Sequence, residues 1–178
     1  MHTRASLHRF VLMIEGNQIF LRPIHLADAA IILEWENNPE LWKVSETPGP
    51  FVLSEIENFI NTSNDLFAHG QMRWIICDKN SNRKIGALDL FDYSAFEKSS
   101  GIGILIADAT DRGKGIANEA ISLLIPHLRN TFQIEKIHCM IHSDNAPSIR
   151  LFEKNGFKKT SETSFKEKPA YFFERFTV

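Results

Sequence analysis

The octet Asp111-Arg112-Gly113-Lys114-Gly115-Ile116-Ala117-Asn118 constrains the fold of this chain more than any other segment. It follows an apolar, β-rich run over residues 101–107. It precedes a stretch over residues 118–130 in which Ile121, Leu124, Ile125 and Leu128 recur at helical spacing. A third apolar run, residues 136–142, reads as a strand, and a strand-helix-strand order of this length requires a parallel pair joined by a right-handed crossover. Residues without bulky side chains let the backbone approach a ligand. The free N–H groups of a helix start carry the positive end of its dipole, so such a turn suits an anion, most simply a pyrophosphate. The residues alone fit equally a tight strand-to-helix turn that binds nothing. Two phosphate-binding motifs fail on detail: a dinucleotide fingerprint lacks its third glycine because Asn118 stands there, and a P-loop needs Ser or Thr after Gly-Lys.

The remaining chain supplies partners for this unit. Residues 10–14 and 18–23 predict a hairpin around Glu15-Gly16-Asn17. Asp28 is placed to cap a helix running to about Asn37, with Ile31, Ile32 and Trp35 on its apolar stripe, Glu34 and Glu36 facing elsewhere, and Pro39 just past its end. Ser54-Glu55-Ile56-Glu57 matches a capping box for a helix over residues 55–62, and Pro48-Gly49-Pro50 enforces the loop before it. Runs at residues 73–78, 84–91 and 101–107 predict an antiparallel meander. Pro126 predicts a kink or a first-turn break in the helix around it, Ser143 to Pro147 the start of a short helix that Gly156 stops, and residues 157–162 and 171–178 two closing strands. With 178 residues and 43% hydrophobic content, one domain over residues 1–178 is expected, residues 1–9 being a loose leader.

Composition removes several classes of function. A net charge of −2 provides no field that would grip nucleic acid or an anionic membrane. No run approaches the roughly 18 apolar residues that span a bilayer. Cys77 and Cys139 each lie in an apolar run, which suits reduced core thiols and a cytoplasmic setting. His138 and His142 share one face of a strand while Cys139 points away, so no metal site is expected from them. Trp35, Trp42 and Trp74 read as core or pocket-lining aromatics.

A second motif makes the reading specific. Asn145-Ala146-Pro147-Ser148-Ile149-Arg150-Leu151-Phe152-Glu153-Lys154-Asn155-Gly156-Phe157 resembles the N-x-x-S/A-x-x-L-Y/F-E-K-x-G-F helix of the GNAT superfamily of N-acetyltransferases. Arg112-Gly113-Lys114-Gly115-Ile116-Ala117 matches that superfamily's acyl-CoA signature, Q/R-x-x-G-x-G/A. Leu21-Arg22-Pro23, Glu34-Trp35-Glu36-Asn37-Asn38-Pro39 and Pro48-Gly49-Pro50 resemble the branch with ribosomal-protein N-terminal and spermidine acetyltransferases. The resemblance implies an α/β (α+β) fold: a mixed, mostly antiparallel central sheet with a parallel pair at the cofactor site, flanked by about four helices.

It also implies acetyl-CoA as cosubstrate and an amine as acceptor, either a small molecule such as a polyamine or a protein N-terminus, acetylated by direct attack in a ternary complex. The pantetheine arm would lie along Leu105, Ile106 and Ala107, the pyrophosphate on the N–H groups of Arg112, Gly113, Lys114, Gly115, Ile116, Ala117 and Asn118. Asn145, Ser148, Phe152 and Lys154 would wall the arm, although Asn145 is also a natural helix cap. Relatives often carry a tyrosine acid where this chain has Phe152, and a glutamate base where it has Gly101. Ser148 or water is left to protonate the thiolate, and Asp89 stands first among candidate bases, with Asp92, Glu34 and Glu36 as acceptor-binding acids. Phe152 and Gly101 keep open an alternative, an acyl-CoA-binding sensor or interaction module without catalysis. Self-association is open as well.

Overall fold

The computed structural model describes residues 13–45 and 49–178. The expected leader, most of the first strand of the opening hairpin, and Pro48 lie outside the described residues. Nine strands form one sheet among the described residues, in the order β1 (Ile14–Glu15), β2 (Ile19–Pro23), β4 (Gln71–Asp78), β5 (Lys84–Ser94), β6 (Ser99–Ile106), β7 (Lys136–His142), β9 (Lys168–Phe176) and β8 (Lys158–Phe165). The short β3 (Asn64–Asp65) pairs with β4 off that path. All pairings are antiparallel except β6 with β7, the pair that the crossover required. Among the described residues, no helix is long and apolar enough to cross a membrane.

Each face of the sheet has its own core. α5 (Ile116–Phe132) lays Ala120, Ile121, Leu124, Ile125 and Leu128 on Leu21, Trp74, Ile76, Leu88 and Ile102. α1 (Ala29–Glu36) and α3 (Leu53–Thr62) cover the opposite face with Ile32, Trp35, Ile56 and Ile60 against Ile75, Cys77 and Ala87. The β4 run Trp74-Ile75-Ile76-Cys77 is buried throughout because both faces are covered, which is why it reads as continuous rather than alternating hydrophobicity.

Six α-helices are present among the described residues, where about four were expected. α2 (Pro39–Ser45) begins at the proline expected only to follow a helix, a residue whose missing N–H costs nothing at a first turn. α4 (Leu66–His69) is capped by Asp65, whose side chain accepts from the N–H groups of Phe67 and Ala68. α3 is capped two residues earlier than the Ser54 box implies, with Glu55 accepting from the Val52 N–H at 2.9 Å. α5 runs unbroken through Pro126, and α6 (Ala146–Lys154) starts at an Asn145 cap.

Asp28 occupies the N-cap position of α1, as expected, but its side chain makes no capping hydrogen bond to that helix. Its carboxylate is 1% exposed and receives the Arg22 guanidinium at 2.7 and 2.8 Å, Lys84 Nζ at 2.7 Å and the His25 N–H at 2.9 Å. Burial pushes its pKa up, but hydrogen bonds from Arg22, Lys84 and His25 outweigh that and hold it well below the usual carboxylate range. A depressed pKa in the folded state contributes stability that is complete above the unfolded value of about 3.9 and is lost as pH falls through the folded one. Asp28→Asn is therefore expected to cost on the order of 2 kcal/mol at pH 7, less than a fully enclosed pair because Arg22 and Lys84 keep some water. The deficit should shrink in urea titrations taken below pH 3, and a pH-independent difference would reject the ion-pair account.

Candidate active site

β6 and β7 pair only at Ser99↔Lys136, Ser100↔Ile137 and Gly101↔His138, and beyond them the strands part. A cavity of about 310 Å³ opens in the gap. Ile102 to Leu105 form one side and Cys139 to His142 another, with Asn145, Ser148 and Phe152 from α6 and Trp35, Glu36, Leu41, Arg73 and Asp89 beyond them. The Ala107 N–H donates to the Ile85 carbonyl at 3.0 Å. With the register Leu105↔Ala87 and Gly103↔Asp89, the backbone groups of residues 103, 105 and 107 are turned to β5, and those of Ile102, Ile104 and Ile106 face the gap. The strand's free donors are thus on Ile104 and Ile106, where the resemblance implied Leu105 to Ala107. The Ile106 carbonyl accepts from the Arg112 guanidinium at 3.2 and 3.3 Å.

The turn after β6 is built to leave room. Gly113 and Gly115 hold φ of 76° and 84°, and a Cβ at either position meets no atom within 4 Å. These are left-handed conformations that other residues adopt only with strain, and the turn leads directly into the α5 N–H groups that precede the first bond, Glu119 N–H to Gly115 O at 2.9 Å. Asp111 anchors the turn: it is 3% exposed and takes both Arg83 nitrogens at 2.7 and 2.8 Å. The Arg83 hydrogen bonds hold its carboxyl below the usual range. Neither Asp111 nor Arg83 stood out in the sequence as a support, since they lie 28 positions apart. Asn155 ties the start of α5 to the end of α6. It donates to Asn118 Oδ1 at 3.2 Å and accepts from Ser122 Oγ at 3.1 Å, while Arg175 donates to its carbonyl. A left-handed turn with open space at both glycines, unpaired helix-start N–H groups and an adjoining strand edge fits a pyrophosphate-bearing cofactor with an extended arm.

The acceptor side centres on a residue that the sequence did not single out. Arg73 Nε and one terminal nitrogen grip Asp89 at 2.6 and 3.0 Å, and the other terminal nitrogen reaches Glu36 at 2.9 Å. The Phe59 ring lies 4.6 Å from the guanidinium carbon. Burial works against this charge, but Asp89 and then Glu36 reverse the effect, so Arg73 is held in its charged form more firmly than in water. Glu36 therefore faces the cavity rather than away from the α1 stripe.

Of the other expected groups, Ser148, Phe152 and Asn145 line the cavity, and Asn145 also caps α6 by accepting from the Ser148 N–H at 3.2 Å. Phe152 is buried, edge-on to Phe157 at 4.9 Å. Glu34, Asp92 and Lys154 are exposed and do not line the cavity. Gly101 has a structural partner: a Cβ there would overlap the Phe91 ring, so the volume that the family's glutamate side chain would need belongs to Phe91. Cys139 lines the cavity with its thiol pushed up by burial, which leaves it protonated and a poor nucleophile.

Comparison with known proteins agrees with this geometry. Residues 18–158 match the model described as an acetyltransferase (GNAT) domain. An N-acetyltransferase 9-like protein of Nematostella vectensis is 30% identical over 167 residues, covering 85% of this chain and 81% of that one. The human alpha/beta-tubulin-N-acetyltransferase 9 is 31% identical over 81 residues, 45% of this chain and 39% of that protein. The chain spans half or less of the length of several curated relatives that it matches, 48% and 30% in two of them. The structure of a spermidine N-acetyltransferase from Vibrio cholerae, in complex with CoA and spermine, superposes with a TM-score of 0.80 over 91% of this chain and 97% of that one. At 18% identity it speaks for the fold alone. Since the matched segment contains the parted strands, the glycine turn and α6 together, the chain belongs to the GNAT acetyltransferase family, enzymes whose acyl donor is acetyl-CoA.

Proposed function

We propose that this enzyme acetylates the α-amino group at the N-terminus of a peptide or protein. Acetyl-CoA, when bound, supplies an activated thioester. The N–H groups of residues 112–118 would hold its pyrophosphate, Ile104 and Ile106 its arm, and Asn145, Ser148 and Phe152 the opposite wall. The Ile104 N–H, turned into the gap, is the donor available to a carbonyl oxygen there. Cys139 holds its proton and offers no acyl-carrying thiolate, which favours direct attack by the amine. Phe152 has no proton to give, so Ser148, one turn earlier on the same wall, or water protonates the departing sulfur.

The observation that carries the choice of acceptor is that both carboxylates lining the cavity, Glu36 and Asp89, are bound by Arg73, a net charge of −1 in place of a −2 well. A polyamine presents two or more ammonium groups and needs carboxylates free to receive them. An N-terminal amine, with a pKa near 8, is already neutral in roughly one molecule in ten at pH 7, whereas an amine with a pKa near 10 is neutral in about one in a thousand. The α-amine thus needs little more than a water molecule, positioned by Asp89 or Glu36, to take its proton. The human relative's name, which gives tubulin as the protein acted on, supports a protein acceptor.

The test is thiol-release turnover with acetyl-CoA across N-terminal peptides, spermidine, spermine and aminoglycosides. Peptides with a free α-amine are expected to turn over, and the polyamines to stay at the hydrolysis background. The reverse pattern would reject the proposal, and turnover of any acceptor removes the sensor alternative.

A further inference from the structure

A second cavity, of about 220 Å³, lies between the end of α3 and strands β4 to β6, lined by Phe59, Ser63, Gln71, Met72, Leu90 and Phe91. It shares Arg73, Asp89 and Gly103 with the first cavity. The boundary between the two therefore consists of the ion pair and a residue with no side chain. A Cβ at Gly103 would make ordinary contact with Phe91 Cε1 at 3.6 Å and Asp89 Cβ at 4.0 Å, so no side chain of residue 103 stands between the two cavities. Besides the shared Arg73 and Asp89, the cavity has the Phe59 and Phe91 rings with Gln71 and Ser63, whereas the side chains of Met72 and Leu90 pack in the core on the α5 face. Ser63 is 1% exposed, and its Oγ has no hydrogen-bond partner among the described residues. A buried hydroxyl left unsatisfied is costly, so a group or a water molecule supplied from the cavity is expected to meet it.

The attacking amine has to reach the gap between β6 and β7, beside Gly103. In a peptide N-terminus the carbon that bears this amine also bears the first side chain. That side chain then starts beside Gly103, where the two cavities meet. We infer that the second cavity is the subsite for the acceptor's first side chain, and that it selects medium-sized apolar residues such as leucine or methionine over glycine, serine and aspartate. The Phe59 and Phe91 rings favour an apolar group, and Arg73 and Asp89 at the rim, paired with each other, leave no free charge to receive an ionic one. This rests on the α-amine reading above.

The experiment measures kcat/KM with acetyl-CoA for peptides that differ only in residue 1: Leu, Met, Ser, Gly and Asp. Leu and Met peptides are expected to exceed the Gly peptide by at least about tenfold, the scale on which an apolar pocket discriminates. In Ser63→Val, whose added methyl groups occupy the cavity, the Leu-to-Gly ratio should fall severalfold. A flat dependence on residue 1 overturns the subsite and leaves the α-amine reading standing. Discrimination that persists undiminished in a folded Ser63→Val protein places the subsite elsewhere and also overturns it. If Ser63→Val does not fold, the wild-type peptide series decides alone. Turnover of polyamines with no peptide turned over rejects the α-amine reading itself, and this inference with it.

Discussion

The Arg73→Leu variant is expected to lose about a hundredfold in kcat/KM for peptide acceptors while its affinity for CoA changes little. Among the described residues, Arg73 is the cation that joins β4, β5 and α1 at the cavity, through Asp89 and Glu36. Without it, two half-buried carboxylates face each other with no counter-charge. They will either take up protons or turn away, and in both cases the acceptor loses its mooring beside Gly103. Misplacement of a reacting group by about 1 Å is enough for a loss of this size. The hydrogen bonds of Arg73 go to Asp89 and Glu36 and not to the turn and helix start that would hold CoA, which is why CoA affinity should survive. Stability should fall too, by about 3 to 5 kcal/mol, the cost of removing one member of a buried ion cluster. Two further variants separate these effects. Arg73→Lys keeps the charge but cannot span two carboxylates with a planar fork, so it should recover stability in part and activity barely. Arg73→Leu combined with Asp89→Leu and Glu36→Leu removes the unpaired charges and should regain much of the stability with none of the activity. Thiol-release kinetics and urea denaturation together measure both. Wild-type kcat/KM in a folded Arg73→Leu protein would remove Arg73 from the acceptor site.

Legibility from sequence followed the reach of the interactions. The glycine turn, α5, β7 and α6 were readable because each depends on local spacing: apolar residues three and four apart, glycines where φ must be positive, and Asn145 three residues before the N–H that it accepts. The β7 bounds, Lys136–His142, come out as the run itself implied. The parallel pair followed from topology. What the sequence did not show was how far the pairing extends, because the parting of β6 and β7 after Gly101 leaves no mark in the apolar run of either strand. The helix at Pro39–Ser45 was hidden by a proline that ends one helix and begins another.

Side-chain networks were the least legible feature. Arg73 lies 37 residues from Glu36 and 16 from Asp89, and an arginine in the middle of an apolar strand carries no local mark of its partners. One clue was present: Arg73 stands just before the Trp74 to Cys77 run, where a buried charge demands compensation. The acids picked from sequence, Asp89 and Glu36, were the right neighbourhood for a different reason, since they are the counter-ions of Arg73 instead of free groups. Gly101 tells the same story in reverse. Read alone it is a missing glutamate, but the structure pairs it with Phe91, so the two positions form one packing unit. A glutamate restored at 101 would need Phe91 displaced as well.

The Gly115→Val variant is expected to bind CoA about a hundredfold more weakly while remaining folded. Gly115 holds φ of 84°, and the space beyond its Cα contains no protein atom within 4 Å, so a valine there clashes with nothing in the core. The internal penalty is the left-handed conformation, roughly 1 to 2 kcal/mol, which lowers the melting temperature without unfolding the domain. The external penalty falls on the ligand. The valine methyl groups would stand in front of the first N–H groups of α5, where a pyrophosphate oxygen would otherwise accept. Losing one or two charge-assisted hydrogen bonds at about 1.5 to 3 kcal/mol each gives an effect of this order. Gly115→Ala separates the two penalties, because it carries backbone strain of the same kind with a smaller side chain. If the turn works by admitting an anion, Ala should sit between Gly and Val in CoA affinity, and it should cost somewhat less stability than Val because a β-branched residue is the more strained at positive φ. Titration calorimetry with CoA, paired with thermal denaturation of all three proteins, reads both quantities. A folded Gly115→Val protein with the wild-type dissociation constant would show that the anion does not sit on this turn, and residues 112–118 would revert to a connection between β6 and α5.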